Sequence, residues 1–588
     1  MLPFTTKDAI VSNIPTSLFI YFRVAGDSVS GDEYCIVHRG AQIVALARAT
    51  LSVSRSATYS SLTYSSGVFK YSSIMGAQQS HQQAGEVAVQ EKELLQRLRS
   101  LSVGSRSDSS YVLVDSAADP CDQEKPSAKR EMEGITVTEL AEWQERVLAD
   151  PKNRLALNAM TATNPVSILT SRATNIADQQ VFNLKIPFEG APITNQRSSG
   201  RCWLFASTNV FRIALMQKYK LDSFELSQSY LFFHDKLEKS NWFLEQIIDT
   251  AHMSLDDRLV QTMLHEPISD GGQWDMVYNL VSKYGLVPQV LYPDSYNATA
   301  SRTINHVVIS KLREGALTLR RLVRSRTVSP ASVTAAKDKM MREIHLILTL
   351  TLGPPPSPSE NFIWEYLDRE GKSHTLSINP REFAKDIRPP SSAVVKISSA
   401  VIENMVSLVN DPRHPYLSLM TVDRLGNIVG GRPITYINVG MGLLKSACIR
   451  MIKAGIPVFF GSDVGKFSNS TSGIMDLNLI DYELGFNVTL LGMSKSERLQ
   501  TGESQMTHAM VLTAVHLDEE GRPARWRVQN SWGENAGDKG WFVMSDAWMD
   551  EFVYQAVVDP KFLDREVRDV LTKEPLVLPL WDPMGSLA

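Results

Sequence analysis

The sequence predicts an α+β fold, on three observations. The run from Cys202 to Lys220 carries Leu204, Phe205, Ala206, Val210, Phe211, Ile213, Ala214 and Leu215, enough apolar surface to bury a helix almost all round. The stretch "QMTHAMVLTAVHLDEEGRPARWRVQNSWG", from Gln505, reads as a strand, a turn at Asp518–Pro523 and a second strand. From Ile135 to the C-terminus helical and strand patterns are mixed, without an internal repeat.

Taken in order, the chain divides near residue 130. Residues 1–130 are rich in Ser, Thr, Ala and Gln, as in "SVSRSATYSSLTYSSGVFKYSS", and lack the periodicity needed to bury a face, so disorder is expected there. A short helix is expected at Glu86–Leu101, followed by a linker. Between Tyr34 and Gly85 there is no Asp or Glu, an acid-poor, Ser/Arg-rich bias like that of a mitochondrial transit segment, although Asp8, Asp27 and Asp32 precede it. "MGAQQS", from Met75, matches a myristoylation pattern that matters only if translation starts there. The apolar piece Leu18–Phe22 is too short to span a membrane, and no membrane association is expected.

Order is expected from about residue 131 to Ala588. Thr136 and Glu139 have capping-box spacing, and Leu140, Trp143, Val147 and Leu148 mark one face of the helix that follows. Further on, the helical segment Lys311–Arg342 sets nine Lys/Arg against Glu314 and Asp338, and "GPPPSPS" from Gly353 breaks the middle of the chain. A net charge of −4 gives no global basic field, so that segment is the local candidate for contact with DNA or RNA. The four cysteines, Cys35, Cys121, Cys202 and Cys448, lie far apart with no metal-ligand spacing, which argues against a disulfide framework or a structural metal and for a reducing compartment. No cofactor is expected.

The chemistry concentrates at Cys202. It opens a helix after the loop Ser198-Ser199-Gly200, where partial positive charge and free N–H groups favour a thiolate. Gln196, six residues upstream, can fold back so that its amide joins the Cys202 N–H as an oxyanion donor. Of the eleven histidines, His508 opens one strand of the predicted hairpin while Asn530 closes its partner. The Asn530 oxygen can then orient the ring, with Trp532 covering the bond from water. His516, at the far strand end beside Asp518 and Glu519, reads as a surface residue.

"NQRSSGRCW", "THAMVLTAV" and "NSWGENAGDKGWF" together resemble the papain-like cysteine peptidases. Ser199 stands where the secreted members have a disulfide-forming cysteine, and Cys202 and His508 are 306 positions apart, which implies large insertions. With "DGGQWDMVYNLVSKYGLVPQ", "VGGRPITYINV", "FFGSDVGK", "GIMDLNLIDYELGF" and "LPLWDPMGSLA", these features are similar to the bleomycin hydrolase family. The resemblance runs from about Ile135 to Ala588. It implies a helical half, a β-barrel-like half, helical insertions over about residues 280–430, and a C-terminal arm (about 575–588) lying in the cleft. It also implies a cysteine aminopeptidase, in which the Ala588 carboxylate pairs with the free amine of a peptide substrate and Gly271 and Gly272 supply backbone hydrogen bonds. The implied assembly is a homohexamer. The cysteine usage points to the cytoplasm, and the acid-poor N-terminal extension to a mitochondrial address as well. Bleomycin-like amides and homocysteine thiolactone are expected side substrates. The alternative is a nucleic-acid-binding assembly in which peptidase action is secondary.

Overall fold

The computed structural model describes residues 19–23, 33–39 and 42–46, then 133–587 apart from 391 and 396. They belong to two units, residues 1–79 and 80–588, each taken by itself. In the first, β1 (Phe19–Arg23), β2 (Glu33–Arg39) and β3 (Gln42–Leu46) pair as an antiparallel meander that the sequence pattern did not indicate. The expected Glu86–Leu101 helix, the linker and Met75–Ser80 lie outside the described residues.

The second unit begins with two helices, α1 (Val137–Ala149) and α2 (Pro151–Ala162). The capping box forms as expected: Thr136 Oγ1 accepts from the Glu139 N–H, and Glu139 Oε2 accepts from the Thr136 N–H. Among the described residues nothing covers the apolar face it introduces, for Leu140, Trp143 and Val147 are all exposed. After the short β4 (Leu184–Lys185) comes α3 (Cys202–Lys218), in which every residue from Cys202 to Met216 is buried. This is the physical counterpart of its all-round apolar sequence: α3 packs on α4 (Gln228–Asp249) and α5 (Trp274–Tyr284) on one side and on strands of the sheet on the other.

Two long helices, α6 (Arg302–Arg324) and α7 (Pro330–Leu352), pack on α4 and on each other, and a hairpin, β5 (Phe362–Leu367) and β6 (Ser373–Ile378), follows. The basic residues of α6–α7 are largely engaged within the chain. Arg313 donates to the carbonyls of Leu264 and His265, and Arg320 and Arg324 to those of Thr250, Ala251 and Met253 around the end of α4. Lys311 pairs with Glu314 and Lys337 with Glu245. Carbonyls at a helix C-terminus lack intrahelical donors, and these guanidinium groups supply them.

The remaining strands are β7 (Val406–Val409), β8 (Ser418–Val422), β9 (Tyr436–Asn438), β10 (Val458–Ser462), β11 (Ser468–Asn469), β12 (Ile474–Met475), β13 (His508–Leu517), β14 (Pro523–Gln529), β15 (Trp541–Ser545), β16 (Val553–Val558) and β17 (Leu576–Leu578). With β4 attached to β13, they form one mixed sheet in the order β11-β12-β15-β14-β13-β10-β16-β7-β9-β8-β17. Its central strands are buried on both faces, β10 and β16 throughout. The helix α8 (Met441–Lys453) packs on β13 and β16. The result is a papain-like α+β fold, with the nucleophile helix at the junction of helical layer and sheet. Among the described residues no helix is long and apolar enough to cross a membrane.

Candidate active site

The loop before α3 is pinned from beneath. Arg201 is fully buried and makes a bidentate pair with Asp294 at 2.9 Å per bond, while its Nε donates to Ser199 Oγ. An arginine at the N-cap has no acceptor to cap the helix with, so first-turn N–H groups remain available to a reacting atom. Cys202 is 2% exposed, and the backbone N–H groups of Ala509, Trp203 and Cys202 itself favour its thiolate form.

The hairpin delivers the other partners. His508 is the first residue of β13, Asn530 immediately follows β14, and the turn spans 518–522. His508 Nε2 meets Asn530 Oδ1 at 2.8 Å, and the Ser531 N–H donates to the same oxygen at 2.7 Å. A backbone N–H can only donate, so that atom is the acceptor and His508 Nε2 carries the proton. Nδ1 is left as the basic nitrogen, on a strand end whose next N–H, that of Ala509, favours the Cys202 thiolate. Trp532 lies over the imidazole with ring centroids 4.8 Å apart. His516 is half-buried near the far end of β13.

Burial sets the electrostatics. It pushes the Cys202 thiol up to about 11, although the three N–H groups pull it down, and it draws His508 down to about 4 against the Asn530 bond. The lowering expected from the helix start is therefore present but outweighed by desolvation. Each charge is penalised alone; formed together by transfer of the thiol proton to the ring, they offset each other.

Gln196 is held on three sides. Its N–H donates to the Ser531 carbonyl at 2.8 Å, its Oε1 accepts from Ser531 Oγ at 2.7 Å, and its Nε2 donates to Ser199 O at 2.7 Å. One N–H of the amide has no place in that set and is free for an oxyanion. Ser531 thus fixes both Asn530 and Gln196, a role the motif contained but did not reveal. Gly272 abuts the nucleophile's neighbour: a Cβ there would sit 2.5 Å from the Trp203 ring. The Gly271 carbonyl accepts from Lys239 Nζ.

Two further groups were not foreseen. Asp270 lies behind the loop, paired with Lys236 at 2.6 Å and accepting from Ser301, Asn305 and the Gly200 N–H. Burial alone would raise it, but Lys236 and these hydrogen bonds hold it well below the usual carboxylate range. Gln273 meets the arm, its Nε2 donating to the Ser586 carbonyl at 2.8 Å, and Ser586 Oγ donates to Met506 O at 2.7 Å. Arg413 ties Asp582 at 2.8 Å, and β17 pairs in parallel with β8. Arm residues between Leu580 and Leu587, Met584 excepted, share with Gly200, Gly271 and Gln505 the wall of a cleft of about 830 Å³. Ala588 lies outside the described residues. Among those described, no cluster of His, Cys, Asp and Glu could hold a metal ion.

A buried Cys–His–Asn set at the meeting of a helix and a sheet defines a thiol peptidase of papain-like fold. The chain belongs to the Peptidase C1-like family, whose model matches residues 134–585. It is similar to bleomycin hydrolase of Homo sapiens, 44% identical over 463 residues covering 77% of this chain and 99% of that one. It is similar also to cysteine proteinase 1, mitochondrial, of Saccharomyces cerevisiae, at 42% identity over 468 residues, 78% and 94% of the two chains. The crystal structure of PepW from Lactobacillus rhamnosis matches with a TM-score of 0.73 and 40% identity, covering 77% of this chain and 99% of that one. The protein is a bleomycin hydrolase-like cysteine peptidase.

Proposed function

We propose that this peptidase is an aminopeptidase, removing residues singly from the N-termini of peptides. The observation that carries the reading is the arm: Ser586, which lines the cleft two residues before Ala588, is hydrogen-bonded to Gln273. A terminal carboxylate fixed there rewards a substrate ammonium and leaves no room for a longer chain. In the reaction, Cys202 Sγ attacks the scissile carbonyl as its proton passes to His508 Nδ1. The Cys202 N–H and the Gln196 amide hold the oxyanion, and His508 returns the proton to the leaving amine. Water deprotonated by His508 then releases the acyl group. Gly271 and Gly272 offer backbone hydrogen bonds to the substrate, and Trp532 shields the His508–Asn530 bond.

Because the acyl-enzyme forms independently of the leaving group, bleomycin-like amides and homocysteine thiolactone are side substrates in this reading. The assembly is a homohexamer, supported by the uncovered apolar face of α1. Location is cytoplasmic, and the N-terminal extension adds a mitochondrial address, in keeping with the acid-poor stretch from Tyr34 to Gly85. Fluorescent fusions starting at Met1 and Met75 test that address; identical diffuse distributions remove it. The activity is tested with free-amine and N-acetylated peptide-coumarins, on the intact protein and on one lacking its last few residues. The intact enzyme is expected to prefer the free amine and the shortened one to accept the blocked peptide. Preference of the intact enzyme for the blocked peptide overturns the reading.

A further inference from the structure

We infer that one buried water, held by Gln273 Oε1, the Tyr436 hydroxyl and Gln555 Oε1 beneath the C-terminal arm, completes the seat that fixes the arm in the cleft. Each of these three atoms is buried and has no hydrogen-bond partner in the protein. All three residues are also nearly inaccessible, each about 1% exposed. They come from separate elements, Gln273 from the start of α5, Tyr436 from β9 and Gln555 from β16, yet they line the same small cavity. The arm closes it with Pro583 and Met584, and Met506, whose carbonyl receives Ser586 Oγ, lines it too.

The cavity has a volume of about 10 Å³, the space of one water-sized sphere and too small for an organic ligand. The donor balance fits the same occupant. The Ser586 carbonyl requires a donor, which fixes the Gln273 amide with Nε2 on the arm and Oε1 towards the cavity. The Gln555 Nε2 is engaged with Ser407 Oγ at 2.9 Å, which leaves its Oε1 for the cavity. A water can donate to both amide oxygens and accept from the Tyr436 O–H, making three bonds, the usual number for a buried water. Left unmade, three buried polar groups would oppose closure of the arm over them. Gln273 is therefore a positioning residue, joining the water to the arm backbone two residues from the chain end. It stands at the N-cap of α5 without a side-chain capping bond, so its replacement does not uncap that helix.

The functional half of this inference rests on the aminopeptidase reading, and the test separates the two. A high-resolution crystal structure of the full chain is expected to show a water within hydrogen-bond distance of all three atoms; an empty cavity, or a metal ion, overturns the inference. Kinetically, Tyr436→Phe, Gln555→Met and Gln273→Met are each expected to lower the ratio of kcat/KM for free-amine over N-acetylated substrate, by about 3- to 10-fold. In a protein lacking the last few residues the same substitutions are expected to change that ratio no further. If they lower the melting temperature and leave the ratio intact, the seat is merely structural and the inference fails. If truncation itself leaves the ratio intact, the aminopeptidase reading fails instead.

Discussion

At Cys202 burial and hydrogen bonding act in opposite directions, and the consequence is a pH profile. Between about 4 and about 11, the values to which burial takes His508 and Cys202, the pair holds one ionisable proton on the thiol and none on Nδ1. That proton count is the reactive one, whichever atom carries it. Below the lower value His508 gains a proton while Cys202 keeps its own, so no base remains. The acid limb of kcat/KM is therefore expected near pH 4 rather than near the ordinary histidine value of about 6.5; a limb at the ordinary value would show that burial does not govern the ring. Gln196→Ala is expected to lower kcat by about 10²- to 10³-fold with the fold intact, as loss of one oxyanion donor does. Steady-state kinetics beside a thermal melt measure both. These residues were legible in the sequence because local motifs bracket them. Ser531 and Gln273 were not, because their roles depend on partners 335 and 313 positions away.

The nucleophile helix depends on what lies against its first turn. Trp203 is wedged between Gly272 and the Asp270 carbonyl, to which its Nε1 donates at 2.6 Å. A methyl group at Gly272 must displace the indole, and with it the residue next to Cys202. Gly272→Ala is expected to destabilise by about 1–3 kcal/mol and to lower kcat, read by denaturant unfolding and turnover together; an unchanged kcat would mean the first turn is not held by this contact. Asp270→Asn removes the ion-pair partner of the buried Lys236, which must then share Asp235 with Lys239, and is expected to cost about 3 kcal/mol, again by unfolding. At this scale α3 and the β13–β14 hairpin were readable, since all-round apolarity and strand–turn–strand alternation are local patterns. The basic run of α6–α7 does keep Arg313 and Arg324 exposed, but the carbonyls that also engage them lie about 48 to 73 positions away, beyond the reach of charge counting.

For the whole molecule, the matched region and the described second unit begin together, at residues 134 and 133. The capping box at Thr136 gives that boundary a local stop, and a protein starting at Glu133 keeps the whole matched region, so it is expected to keep its melting temperature and its turnover within about twofold. What such a chain still lacks is cover for α1. Val137, Leu140, Trp143 and Val147 are 83, 51, 47 and 54% exposed, on a helix with no buried residue. Contiguous apolar surface of this kind in a folded protein marks a contact with another molecule, and repeated copies of one chain close most readily by rotational symmetry. Sedimentation of the intact protein is expected to give six chain masses. Leu140→Glu with Trp143→Glu is expected to lower that mass while leaving the melt of the released subunit cooperative, because neither side chain is part of the subunit's core. A single chain mass for the unsubstituted protein would remove the hexamer, and an unchanged mass for the double variant would move the contact away from α1.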